Sequence, residues 1–158
     1  MKRADLPRPL DRRRFALAAG VLFGAGILRA TAAPAQEESQ GWLQVVKKVL
    51  GEAKPVEGKL VLEMPEIAEN GNTVPFSVSL NSPMTETDHV KAIHIIATAN
   101  PQPQVATFRF TPLSGKAAVA SRARLARTQD VIAIAELSDG KFFMSKRNVK
   151  VTIGGCGG

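Results

Sequence analysis

Asp130-Val131-Ile132-Ala133-Ile134-Ala135-Glu136, then Lys141-Phe142-Phe143-Met144-Ser145 and Asn148-Val149-Lys150-Val151-Thr152-Ile153, decide the fold. The first run is apolar between charges and reads as a strand. Asp139-Gly140 behind it is a strong hairpin signal, because both residues tolerate the left-handed backbone of a tight turn. The last run alternates apolar and polar, as a half-buried strand does. Working toward the N-terminus, the same grammar repeats. Ala117–Leu125 alternates, with Arg122 and Arg124 outward, behind the turn Ser114-Gly115. Gln104–Phe110 sets Phe108 and Phe110 on one face, and Asn100-Pro101-Gln102-Pro103 turns the chain before it. His89–Thr98 is nearly continuously apolar, which predicts burial on both faces. Thr73–Leu80 places Val74, Phe76, Val78 and Leu80 on one side, with Pro75 demanding an edge or bulge. Lys59–Glu63 opens the series, and Asn70-Gly71-Asn72 is a turn. Seven or eight short strands with regular turns predict an all-β fold, an immunoglobulin-like antiparallel β-sandwich of two sheets. No Cys pair can bridge them, because the chain has one cysteine.

In the C-terminal direction the last strand runs into Gly154-Gly155-Cys156-Gly157-Gly158. Glycine has no Cβ and samples φ of either sign, so Gly154, Gly155, Gly157 and Gly158 give this stretch little conformational preference. Nothing beside Cys156 could bury it. Residues 154–158 are therefore read as a flexible C-terminal arm that carries a thiol. At about 3.3–3.6 Å per extended residue, Cys156 can stand about 10 Å beyond Ile153. An ordinary thiol has a pKa of about 8.5 and is only slightly ionised near neutral pH. The arm brings no base of its own, so a docking enzyme must activate the thiol. That is the logic of a covalent carrier.

At the other end, residues 1–35 read as an export signal. Arg12-Arg13-Arg14-Phe15 precedes an apolar run to Leu28, too short for a standard membrane span, and small residues follow up to a preferred cleavage after Ala35. Arg12 and Arg13 with Phe15 resemble a twin-arginine (Tat) signal, which implies export of a folded protein to the periplasm. The whole chain has a formal charge of +7, but residues 1–35 hold seven of its 21 basic residues and two of its 14 acids. The remainder carries 14 basic and 12 acidic residues, a net of +2, so a nucleic-acid partner is not supported. No membrane association is expected after signal removal.

Between signal and strands, residues 36–52 read as an N-terminal helix. Trp42, Val45, Val46, Val49 and Leu50 recur at helical spacing, Ser39 suits the N-cap, and Gly51 suits the stop. The expected layout is thus 1–35 Tat signal peptide, 36–52 helix, 53–153 β-sandwich and 154–158 swinging arm.

Catalytic equipment is not expected in the sandwich. His89 and His94 are an odd number of positions apart on a strand and face opposite sides, so they make a poor metal pair. Met64, Met84 and Met144 read as gap fillers. No glycine-rich loop opens a helix to cradle a phosphate. No metal and no cofactor are expected.

The stretch Val149–Gly158 resembles the C-terminus of SoxY, the sulfur-carrying subunit of the bacterial thiosulfate-oxidising Sox system. Ile67-Ala68-Glu69-Asn70-Gly71, Val74-Pro75, Ser82-Pro83-Met84, Asn100-Pro101-Gln102-Pro103, Phe108, Thr111-Pro112-Leu113-Ser114-Gly115 and Ser138-Asp139-Gly140 resemble that family too. The resemblance implies a carrier that is not itself an enzyme. It implies that Cys156 is loaded oxidatively with thiosulfate by a c-type haem enzyme. A dimanganese thiosulfohydrolase then removes sulfate, and a sulfur dehydrogenase oxidises the remaining sulfane sulfur. It also implies a heterodimer with a second small β-sandwich subunit, SoxZ. Two other readings stay open on the residues alone. One is a ubiquitin-like sulfur carrier activated at Gly158. The other is a periplasmic immunoglobulin-like interaction module with a tethering cysteine.

Overall fold

The computed structural model describes residues 35–154. One helix leads into nine strands: α1 (Ala35–Leu50), β1 (Val56–Glu57), β2 (Leu60–Glu63), β3 (Ile67–Asn70), β4 (Val74–Leu80), β5 (Val90–Ala97), β6 (Gln104–Arg109), β7 (Ala117–Ala123), β8 (Gln129–Leu137) and β9 (Phe142–Ile153). They form an immunoglobulin-like sandwich. The larger sheet runs β1-β9-β8-β5-β6, with β3 also on β9, and the smaller runs β2-β4-β7.

The apolar alternation explains the layering. In β4, Val74, Phe76, Val78 and Leu80 are all buried, while Pro75 and Ser79 are exposed. They meet Ile93 and Ile95 of β5, Val131, Ala133 and Ala135 of β8, and Leu62 of β2 in one core. Each fully buried Leu, Ile or Val contributes about 1.5–3 kcal/mol. β8 and β5 are apolar on their other face as well, because a second layer covers it. Ile96, Ile132 and Ile134 pack under Trp42, Val45, Val46 and Val49 of α1. The helix therefore uses its apolar stripe on its own sheet. It stops where Gly51 takes φ 58° and returns its N–H to the Lys47 carbonyl at 2.8 Å.

Pro75 sits where the sequence demands. It pairs with Arg122 of β7, but β2 reaches along β4 only to Ser77, so the missing proline N–H has no ladder to interrupt on that side. The hairpin at Asp139-Gly140 is as expected, with Gly140 at φ 80° and the Leu137 N–H bonded to the Lys141 carbonyl at 3.0 Å.

Several expectations need correction. Lys141–Ser145 and Asn148–Ile153 are not two strands but one strand of 12 residues. The polar run through Lys146 and Arg147 looks like a break, but its backbone pairs with Ile132 and Val131 of β8, and Arg147 Nε donates to the Leu62 carbonyl at 3.0 Å. β1 and β3, short and largely exposed, went unpredicted. Both pair with β9 in parallel, so the sandwich is not wholly antiparallel. Ser39 lies inside α1, four residues past its start, and cannot be its N-cap.

Candidate functional site

Cys156 and its neighbours Gly155, Gly157 and Gly158 lie outside the described residues, as do Arg12, Arg13 and Phe15. What the structure supplies is the root of the arm, where β9 delivers the chain to Gly154.

β9 changes partners before it ends. β8 accompanies it up to the pair Gln129↔Val149. Beyond that point β3 takes over on the opposite edge, with Ile67↔Lys150, Ala68↔Val151 and Asn70↔Ile153. The Gly71 N–H then donates to the Ile153 carbonyl at 2.8 Å, and the Gly71 carbonyl accepts from Leu125 N–H at 2.7 Å. On the side that β8 has left, Thr128 substitutes for a strand. Its Oγ1 accepts from Val151 N–H at 3.0 Å and faces the Val151 carbonyl at 3.4 Å. The Thr152 hydroxyl donates to the Glu69 carbonyl at 2.9 Å. The chain is thus held from both sides at Val151 and on the β3 side as far as Ile153, its last strand residue.

Gly154 adds a second restraint. A Cβ built on it would stand 2.2 Å from the Ala126 carbonyl oxygen, far inside contact distance. The obstacle is backbone and cannot rotate away. Gly154 was expected as a free arm residue; here its glycine is required by the close passage of loop 124–128.

That loop is held by a buried amide pair, Asn100 and Gln129, at 5 % and 4 % exposure. Asn100 Nδ2 donates to the Arg124 carbonyl at 2.8 Å, and its Oδ1 accepts from Ala126 N–H at 2.9 Å. Gln129 Nε2 donates to Asn100 Oδ1 at 2.8 Å and to the Arg127 carbonyl at 3.0 Å, while its Oε1 accepts from Ala99 N–H at 2.7 Å. Both amides are matched to backbone groups of the loop, so they set its path at a net gain of about 1 kcal/mol per bond. Sequence reasoning read Asn100 only as a turn residue and passed over Gln129. Apart from the Arg127 carbonyl, two positions from Gln129, their partners lie 24 to 30 positions away, which no local pattern encodes.

The other candidates stay apart. The His89 ring faces the Thr85 carbonyl at 3.1 Å in an exposed loop. His94 is on β5 with Nδ1 3.0 Å from the Thr107 hydroxyl. Burial pushes His94 below its ordinary pKa; Glu136 opposes this and Arg109 adds to it. Met64 and Met84 pack with the main core, and Met144 with the helix layer. Among the described residues, no three His, Cys, Asp or Glu side chains gather to hold a metal. Among the described residues, no helix is long and apolar enough to cross a membrane.

Comparison with known families matches residues 46–156 to sulfur oxidation protein SoxY. Among solved structures, the sulfur carrier protein SoxY from Chlorobium limicola f thiosulfatophilum is 31% identical over 72% of this chain and 98% of its own, with a TM-score of 0.60. A superoxide reductase (neelaredoxin) from Ignicoccus hospitalis is 16% identical over 60% of this chain and 80% of its own, TM-score 0.54. The superoxide reductase from Nanoarchaeum equitans is 12% identical over 61% and 98%, TM-score 0.50. These last two show a shared fold alone. No curated protein matches. The family match covers the chain from the end of the helix through the single cysteine, and on it the chain belongs to the SoxY family of sulfur oxidation proteins.

Proposed function

We propose that this chain is a periplasmic covalent sulfur carrier and that Cys156 is its attachment site. The observation that supports this most is the family match, whose residues run through Cys156. The root geometry agrees with it. β9 is bonded to its last residue, so the two-residue step from Gly154 to Cys156 starts from a defined point at one end of the sandwich.

The Cys156 thiolate and thiosulfate join through a new S–S bond, giving Cys–S–S–SO3⁻, and two electrons pass to the haems of a c-type haem enzyme. Water then attacks the sulfonate sulfur of the adduct at a dimanganese hydrolase. Sulfate and two protons leave, and Cys–S–S⁻ remains for a sulfur dehydrogenase. The carrier supplies the thiol, a narrow arm and a fixed root; the chemistry belongs to the enzymes it visits. A thiol with no resident base is only slightly ionised near neutral pH, so its fast chemistry waits for an enzyme that activates it.

The carrier acts with a second small β-sandwich subunit of SoxZ type. The apolar stripe of α1 is packed on Ile96, Ile132 and Ile134, so that stripe is not offered to the subunit, and docking away from residues 154–158 leaves the arm free for the enzymes it visits.

The test is Cys156→Ser in a reconstituted thiosulfate-oxidising system, with intact mass measured before and after a reductant. The expected result is loss of turnover, loss of every reducible adduct, and an unchanged melting temperature. Turnover by the serine variant would refute the carrier reading. A single stable disulfide to one protein, indifferent to thiosulfate, would favour the tethering module instead.

A further inference from the structure

The end of the sandwich from which the arm departs also gathers three crossings of the chain. β3 passes to β4 through Gly71 and Asn72, β5 passes to β6 through residues 98–103, and β7 passes to β8 through residues 124–128. Between them lies a polar cleft of about 440 Å³, lined by Asn72, Asn100, Gln102, Gln104, Arg122 and Arg124. Arg122 and Arg124 are two positions apart on and just beyond β7, so they project to the same side. Both are exposed, and neither has an ion pair among the described residues. Asp130 is tied to Lys146 at 3.2 Å and to Asn148 at 2.7 Å, and Glu69 sits on β3.

We propose that this cleft is an oxyanion site that receives the sulfonate end of the cargo on the arm. The inference rests on the reading of Cys156 as the attachment point. A guanidinium fork matches two oxygens of a tetrahedral sulfur oxyanion, and side-chain amides donate to the third. The span suits the arm. Ile153 is bonded to Gly71 and Gly71 to Leu125, so Arg124 begins about two strand spacings, or about 10 Å, from the last strand residue. The step from Gly154 to Cys156 covers up to about 7 Å, and the adduct and an arginine side chain close the rest. Such a site would hold a charged adduct between visits and release a sulfur-only one. Exposed charge pairs are weak and screened by salt, which suits cargo that must leave again.

The experiment starts from full mature protein treated with tetrathionate. The Cys156 thiolate attacks a central sulfur, forms Cys–S–S–SO3⁻ and expels thiosulfate. A control carries a neutral methyl disulfide on the same thiol. The expected result is a shift of the Arg122 and Arg124 Nε–Hε resonances with the anionic adduct and none with the methyl adduct. Reductant should strip the anionic adduct several-fold faster from the Arg122→Gln, Arg124→Gln double variant than from the parent, and the methyl adduct equally from both. Absent arginine shifts, or equal stripping of the anionic adduct, would overturn the proposal. Free thiosulfate titrated onto Cys156→Ser should shift these resonances only at far higher concentration; saturation at sub-millimolar thiosulfate would assign the cleft to free anions and overturn it too. Turnover assays test the carrier reading separately, so an idle cleft on a working carrier is distinguishable from a failed carrier.

Discussion

Gly154 shows what one hydrogen atom in place of a methyl group does here. Its α-carbon passes so close to the Ala126 carbonyl that any side chain must displace loop 124–128. That loop cannot yield freely, since Asn100 and Gln129 hold it through buried bonds. Gly154→Ala is therefore expected to lower stability by about 1–3 kcal/mol, the usual cost of overpacking, and to slow turnover by misdirecting the root of the arm. Thermal melts and steady-state rates check both. The comparison is Gly155→Ala, expected to leave the melting temperature unchanged. An unchanged melt for Gly154→Ala would mean that the loop moves aside at little cost. Gly154 was legible in sequence as the first residue of a glycine-rich stretch. The demand on Gly154 was not, because the carbonyl that imposes it belongs to a residue 28 positions earlier.

The elements differ in how much of themselves they display. β4 and β5 announced both their span and their buried faces, since alternation and continuous apolarity report one-sided and two-sided burial. β1 and β3 did not, because strands this short carry no period and owe their pairing to β9. β5 and β6 carry a pH-sensitive pair. His94 of β5 faces Thr107 of β6, and burial there favours the neutral ring. The folded-state pKa is lowered, so the unfolded chain binds more protons as pH falls through about 6.5. Stability on this account is full above that value and declines below it until the folded ring also protonates. The drop in melting temperature between about pH 7.5 and 5.5 should shrink in His94→Gln. An identical drop in both proteins would assign the acid sensitivity to other groups.

At the scale of the molecule, the sandwich sorts its work by end and by face. One face is sealed by α1 through Trp42 and its neighbours. One end collects the arm root, the amide-locked loop and the arginine cleft. The reading of residues 1–35 as a twin-arginine signal is tested at this scale as well, because such a route moves a finished fold. Replacing Arg12 and Arg13 together by lysine should leave the precursor in the cytoplasm, which fractionation would reveal as a missing periplasmic pool. Normal periplasmic protein from that variant would mean passage through the general secretory route.

The strand order of polar and apolar residues and the hairpin glycine were determined locally, by neighbours within a few positions of each other. They sufficed for the sandwich class and the covering helix. The tertiary structure alone decided the single long β9, its change of partner from β8 to β3, the clash that reserves position 154 for glycine, and the meeting of Arg122 and Arg124 with Asn72 and Gln102. Each of these depends on segments separated by tens of residues that touch only when the two sheets close. Hydrophobic period constrains which face of a strand is buried, but it is silent on which distant backbone carbonyl arrives beside it.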